Sequence, residues 1–142
     1  MISYLRSTPR RRTIKERQTL ADGTWVRVER PSDEEIEALM TLGLDEDTIR
    51  DALDPHEVPR TEQEGPWTYF ITRLPDTDDD FNDYTTPMLF ALNRNYVVTV
   101  SRDPLGRLWQ PFIERSQIST SEQTELFMLM MDAVTLQYHR RV

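Results

Sequence analysis

The sequence has 142 residues, of which 37% are hydrophobic, and this suits one domain with an ordinary core. It contains no cysteine, which excludes disulfides, thiolate zinc sites and cysteine nucleophiles, and no run approaches the roughly eighteen apolar residues that span a bilayer. The net charge of −8 is uneven, because six basic residues against Glu16 give the first seventeen residues a charge of +5 and leave −13 for the remainder.

Three short strands are predicted near the N-terminus, over residues 2–5, 13–18 and 24–29. In the third strand, Trp25 is expected to lie opposite the charged face. The basic residues of this region are compatible with a nucleic-acid arm or with arginines on a solvated edge strand. We favour the edge strand and no nucleic-acid partner, since no aromatic stacking set accompanies the charge and the acidic body repels phosphate.

Two helices are predicted next, each with its own start signal. Ser32 and Glu35 form a capping box, and Gly43 stands where a left-handed residue ends the first helix. Asp45 can cap a second helix over residues 46–53. Pro55 cannot continue that helix, so the chain is expected to leave it there.

Strands dominate the middle of the chain, over residues 58–64, 67–74, 86–92 and 96–101. The first reads as an edge strand protected by charge, and the second as a central strand covered on both faces. The last two should pair as an antiparallel hairpin across the polar turn 93–95.

Helices are predicted over residues 105–115 and from Ser121 to the end of the chain. No glycine, asparagine or proline stops the last helix, so we expect the chain to be cut inside a longer helix. A natural terminus at Val142 is the alternative.

The acidic stretches and the two histidines are the candidates for metal sites. A single histidine cannot complete a closed zinc site, and magnesium does not favour imidazole, which argues against His56. His139 is expected to pair with solvent or a neighbouring carboxylate. The segment 76–83 resembles the first half of a calcium loop, but Phe81 and Pro87 stand where glycine and glutamate are required. A mobile, solvated connection between strands is the preferred interpretation of that segment.

Enzymatic motifs are not evident. Serines lie outside any strained elbow motif, four glycines form no phosphate-cradling loop, and no histidine pair has helical ligand spacing. A hydrolytic carboxylate pair among the many acids stays open, although nothing singles one out.

Several motifs follow one another along the chain: Trp25, the segment 31–36, the Leu-Gly-Leu of 42–44, the LDPHEVPRTE run of 53–62, and the strand segments 69–71, 87–90 and 95–100. Their order resembles that of the N-terminal cytoplasmic domain of CorA-type magnesium transporters. The run over residues 54–62 is the most specific of them. The resemblance extends from about Trp25 to the C-terminus, and the first twenty residues contribute nothing to it.

This resemblance implies an α/β fold in which a mixed β-sheet is sandwiched between helices on both faces. It also implies a pentamer at the cytoplasmic face of the cell membrane. The family's Gly-Met-Asn pore tripeptide and both membrane helices are absent from the sequence. We therefore expect residues 1–142 to form a single regulatory domain, truncated before the stalk and transmembrane helices of a divalent-cation transporter, and not an enzyme. A free-standing interaction or ligand-binding module of the same fold is the alternative, and the choice among magnesium, cobalt, nickel and zinc stays open.

The resemblance also singles out Asp51 as a metal ligand. In the family, an aspartate two positions before the leucine of this run lies at the subunit interface and helps to hold a regulatory divalent ion. Mg²⁺ prefers oxygen ligands and keeps much of its water, so the implied site is weak and water-mediated. The family's second carboxylate lies on the stalk helix, so Asp51 is half a site. From the residues alone, Asp51 reads as an exposed helix carboxylate.

Overall fold

The computed structural model describes residues 1–77 and 80–139. Within them, one seven-stranded mixed sheet is accompanied by four helices. The strands are β1 (Ile2–Ser7), β2 (Ile14–Arg17), β3 (Thr24–Glu29), β4 (Arg60–Glu64), β5 (Trp67–Thr77), β6 (Asp83–Leu92) and β7 (Tyr96–Ser101). The helices are α1 (Asp33–Thr41), α2 (Glu46–Asp51), α3 (Gly106–Arg115) and α4 (Gln123–His139).

The strands lie side by side in the order β2-β1-β3-β7-β6-β5-β4. The pair β3 and β7 is parallel, with Val26 opposite Val98, and the other neighbouring pairs are antiparallel. Strands β6 and β7 form the predicted antiparallel hairpin, and β2 and β4 are the two edge strands, as predicted. The basic strand β2 and the acidic strand β4 therefore lie at opposite edges of the sheet.

Helices cover both faces of the sheet, which confirms the predicted sandwich. On one face, α1 and α2 pack Ile36, Leu39 and Ile49 into a core with alternate residues of the central strands. On the other face, α3 and α4 contribute Trp109, Phe112, Leu126 and Met130 to a second core. The central strands are consequently buried on both sides, because each face needs apolar side chains to meet its helix layer.

The orientation of Trp25 differs from the prediction. Because alternate residues of a strand point to the same face, Trp25 shares its face with Arg27 and Glu29. Glu29 is itself buried, at 5% exposure. The sequence suggested a charged outer face, but this strand lies in the interior of the sheet, where Glu29 is buried and Arg27 is partly buried beside the helix layer.

The helix ends follow the local signals. Ser32 accepts a hydrogen bond from the Glu35 amide, and the Glu35 carboxylate accepts one from the Ser32 amide, so both halves of the capping box are present. Gly43 has a φ of 109°, and the amides of Gly43 and Leu44 donate to the carbonyls of Met40 and Leu39. This is the glycine-terminated helix ending that the sequence predicts.

Several boundaries differ from prediction. Helix α2 ends at Asp51 rather than at residue 53, because the amides of Leu53 and Asp54 donate to carbonyls only three residues back and form a tighter turn. Strand β5 continues beyond residue 74, and β6 begins before residue 86, since their ladder extends to Thr77 opposite Asp83. The last helix was predicted to reach Val142, and residues 140–142 lie outside the described residues.

Candidate functional site

Asp51 is the last residue of α2, and the start of that helix sets its position. The Asp45 side chain accepts hydrogen bonds from the amide and the hydroxyl of Thr48, at 3.0 and 2.9 Å. Ile49 and Ala52 are fully buried against the sheet. The helix is therefore held at its cap and along its apolar face, and Asp51 is presented at its end with a side chain that is 42% exposed.

The carboxylate of Asp51 is paired with Arg60, the first residue of β4. Arg60 Nη2 donates to Asp51 Oδ2 at 2.6 Å. The other two guanidinium nitrogens also donate to carboxylates: Nε to Glu62 Oε1 at 2.7 Å, and Nη1 to Glu57 Oε1. One cation thus connects the end of a helix, the loop that follows it and the edge strand.

This pairing changes the electrostatics of Arg60. The hydrogen bond to Asp51 is the largest cause that raises the pKa of Arg60 above its ordinary value, and the hydrogen bond to Glu62 and the charges of Glu62 and Glu57 add to it against the effect of burial. The guanidinium therefore stays protonated at every accessible pH. The group of three carboxylates around it retains an excess of negative charge.

A second arginine fixes the loop between α2 and β4. Arg73 of β5 donates to the carbonyls of Glu57 and Pro55, at 2.8 and 2.9 Å. It also donates to Thr85 of the neighbouring strand, at 2.8 Å to the hydroxyl and 2.7 Å to the carbonyl. The turn that carries His56 is thereby attached to the sheet.

The described residues offer a single carboxylate at Asp51 and no metal cage. Among residues 1–77 and 80–139, no group of three or more His, Cys, Asp or Glu side chains could hold a metal ion. The Oδ1 atom of Asp51 accepts no hydrogen bond from a described residue, so it can still face a hydrated cation. Hard oxygen donors suit Mg²⁺, which keeps several waters when only one or two carboxylates bind it. Asp51 fits such an ion as a water-mediated partner, provided that other oxygen ligands come from elsewhere.

The remaining sequence candidates lie apart from Asp51. His56 is exposed in the turn after α2, and His139 is exposed at the end of α4. Asp76 and Asp83 belong to β5 and β6, and the phenol of Tyr84 donates to Asp76. Asp78 and Asp79 lie outside the described residues, so a mobile connection there stays a prediction.

The basic N-terminal residues form an exposed hairpin. Arg10, Arg11 and Arg12 lie in or beside its turn, and Lys15 and Arg17 are exposed on the edge strand β2. The predicted position on a solvated edge strand is confirmed for Lys15 and Arg17. Arg6 differs, because it lies on β1 inside the sheet, where its Nη1 donates to the Thr19 carbonyl and the Thr24 hydroxyl.

Sequence reasoning missed the role of Arg60. Arg60 and Glu62 alternate on one strand, and this spacing puts both side chains on the same face. The spacing of nine residues between Asp51 and Arg60 carries no such signal, because only the turn after α2 brings them together.

The comparisons with known proteins are consistent with this architecture. A family model described as CorA-like Mg²⁺ transporter protein matches residues 21–142. No curated protein sequence matches the chain.

Solved structures share the fold at low sequence identity. The structure of the soluble domain of CorA from Methanocaldococcus jannaschii gives a TM-score of 0.80 at 20% identity, over 99% of this chain and 58% of that one. The complete CorA magnesium transporter from the same organism gives 0.75 at 18% identity, over 99% of this chain and 46% of that one. The cytoplasmic domain of ZntB from Vibrio parahaemolyticus gives 0.69 at 12% identity, over 95% of this chain and 57% of that one.

This chain spans about half the length of those structures. No helix within residues 1–77 and 80–139 combines the length and the apolar composition needed to cross a bilayer. The structural likeness establishes the fold, and the family model covers most of the sequence. The match over residues 21–142 shows that the chain belongs to the family of CorA-like Mg²⁺ transporter proteins.

Proposed function

We propose that residues 1–142 are the cytoplasmic sensing domain of a divalent metal cation transporter, with Mg²⁺ as the first candidate ion. The observation that carries this proposal is the family match over residues 21–142, on a chain whose fold is that of the soluble domain of CorA. The transported ion is the substrate of the whole protein. The role of this domain is regulation, not conduction or enzymatic catalysis.

Asp51 is proposed to supply one carboxylate of a weak regulatory site. Its side chain is half-exposed at the end of α2, where a neighbouring subunit can approach it. A hydrated Mg²⁺ would contribute positive charge between Asp51 and a carboxylate of the adjacent copy. Asp51 would orient the water shell of the ion through its carboxylate oxygens.

Weak binding would suit a sensor. When carboxylates face each other across an interface, a bound cation offsets their repulsion and favours the closed assembly. Loss of the ion leaves the carboxylates repelling each other, which favours a looser arrangement of subunits. The domain would in this way report the cytoplasmic ion concentration to the pore of a pentamer.

The test is limited proteolysis of the full-length protein over a series of Mg²⁺ concentrations. Wild-type protein and Asp51→Ala are compared with Asp47→Ala, which removes an exposed carboxylate from the same helix. We expect Mg²⁺ to protect the wild type and the control, and to protect Asp51→Ala only at concentrations at least about tenfold higher, because one ligand charge is lost. Identical protection of all three proteins would remove Asp51 from the site.

The transporter proposal has a separate test in the gene. The reading frame should continue past Val142 into a stalk, two apolar segments and a Gly-Met-Asn tripeptide. A reading frame that stops at Val142 would overturn the transporter role and favour a free-standing module.

A further inference from the structure

Asp51 already has a cationic partner in its own chain. Arg60 Nη2 lies 2.6 Å from Asp51 Oδ2, and the side chain of Arg60 is only 27% exposed. A charge-assisted hydrogen bond of this length is among the stronger polar contacts in proteins. A divalent ion that approaches Asp51 therefore meets a carboxylate that is already partly neutralised.

We infer that Arg60 is a built-in counter-cation that competes with divalent ions for Asp51 and sets how much ion is needed to occupy it. The inference rests on the proposed metal role of Asp51. It adds a specificity and affinity determinant to that site, supplied by a residue that is not a metal ligand.

The arrangement allows Arg60 to give up Asp51 without losing all its partners. Its Nε and Nη1 atoms remain hydrogen-bonded to Glu62 and Glu57, and Glu57 is the least exposed of the three carboxylates, at 16%. If a cation draws Asp51 away, the guanidinium stays neutralised and the loop stays attached. Asp51 is the acceptor that can exchange, because Glu57 is more buried and Glu62 lies on the same strand as Arg60, whereas Asp51 is 42% exposed at the end of α2.

Charge repulsion between Arg60 and a divalent ion also weakens binding of the ion at Asp51. A unit charge about 6 Å from a divalent ion in a water-like medium weakens binding by about tenfold, and more where the medium is less polar. Removing the charge of Arg60 also leaves Glu57 and Glu62 without their partner, which makes the surroundings of Asp51 more negative.

The competition also favours divalent over monovalent ions. A monovalent cation brings no more charge than the guanidinium it would displace, and its geometry is less specific than a short hydrogen bond. A divalent ion brings twice the charge. Arg60 is thus expected to suppress occupation of Asp51 by sodium or potassium at cellular concentrations.

The experiment uses MgCl₂ as the probe and the full-length protein at constant ionic strength, because salt screens exposed charges. The readout is the Mg²⁺ concentration at half-maximal protection from protease, and not transport activity. The variants are Arg60→Gln, Asp51→Ala and the double substitution. Arg50→Gln is the matched control, since Arg50 lies on α2, is 51% exposed and pairs with Glu46 instead of Asp51.

We expect Arg60→Gln to lower the midpoint by about tenfold and Arg50→Gln to leave it within about twofold. Asp51→Ala should raise the midpoint by at least about tenfold in both the wild-type and the Arg60→Gln background. Arg60→Lys keeps the positive charge but cannot reproduce the three guanidinium hydrogen bonds. Its midpoint should therefore stay near that of the wild type. A purely structural role would instead shift Arg60→Lys and Arg60→Gln together.

The outcomes separate this inference from the proposed function. If Asp51→Ala raises the midpoint but Arg60→Gln leaves it unchanged or also raises it, competition by Arg60 is overturned and the role of Asp51 stands. If Asp51→Ala responds like the wild type in both backgrounds, the metal role of Asp51 fails, and this inference fails with it. Should ion-free Arg60→Gln prove unfolded, Arg60→Met keeps the aliphatic stem and carries the same expectation.

Discussion

Glu29, at 5% exposure, accepts a hydrogen bond through Oε2 from the backbone amide of Leu105 at 2.8 Å. Leu105 is the residue before α3, and no side chain of its own caps that helix. The buried carboxylate therefore ties the end of β3 to the start of α3. Both oxygens of Glu29 also accept from Arg27 Nη2, at 3.2 Å.

Removal of this carboxylate is expected to be costly. Glu29→Ala leaves the Leu105 amide without its acceptor and the Arg27 side chain, 14% exposed, without its counter-charge. Breaking a buried pair on one side costs about 3–5 kcal/mol, so we expect a loss of that order in the free energy of unfolding by urea. Arg27→Met with Glu29→Gln together should lose less than Glu29→Ala alone, because no charge is stranded. Equal losses would contradict a role for the charge pair.

Gly43 is expected to tolerate no side chain. Its φ is 109°, and a Cβ there would lie 3.0 Å from Trp67 Nε1 of a fully buried indole. Gly43→Ala should lower the free energy of unfolding by about 1–3 kcal/mol through backbone strain and contact together. Gly65→Ala is the control, because Gly65 also has a positive φ of 58° but meets nothing within 4 Å. A larger loss at Gly65 than at Gly43 would argue against the contact with Trp67.

Arg73 is expected to control the mobility of the turn that follows α2. Its guanidinium makes two hydrogen bonds to carbonyls of that turn and two to Thr85. Arg73→Met should increase proteolytic cleavage between residues 54 and 59, because local opening requires fewer bonds to break. Hydrogen exchange of the Glu57 amide reports the same event. Unchanged exchange at Glu57, with the global stability also unchanged, would show that the turn is held by other contacts.

Stability is expected to fall at alkaline pH because of Tyr69. Burial raises the pKa of Tyr69 above its ordinary 10.0, even though its phenol oxygen accepts a hydrogen bond from the Asp45 amide. Below pH 10, the phenol is protonated in both the folded and the unfolded state, and the stability is not reduced by its ionisation. As pH rises through the raised pKa, the unfolded state loses its proton first, so unfolding becomes more favourable, by up to about 1.4 kcal/mol per pH unit.

Urea unfolding between pH 8 and pH 11 tests this dependence. Tyr69→Phe should flatten the dependence of the free energy of unfolding on pH above pH 10. Burial also raises the pKa of Tyr138, so Tyr138→Phe measures the remaining contribution. A slope unaltered by Tyr69→Phe would rule out the buried phenol as its source.

The local elements of this fold could be predicted because their signals act over a few residues. The bounds of β3 agree with prediction to the residue, and Ser32, Glu35 and Gly43 have the predicted roles at the ends of α1. A cap or a left-handed helix end involves neighbouring residues only, so the sequence contains all the partners. The motif order was likewise readable from the sequence, and the family match confirms what it indicated.

The contacts that define the candidate site belong to the tertiary structure. Asp51 could be singled out by its place in a motif, but its pairing with Arg60 depends on a tight turn and on where β4 joins the sheet. Glu29 and Leu105 are 76 residues apart and meet because β3 lies beside β7, from which the chain leads into α3. Sequence periodicity shows which face a residue shares with its neighbours on the same element. Long-range packing decides which charges that face contacts. In this protein, packing places Arg27 and Glu29 in the interior of the sheet and Arg60 against Asp51.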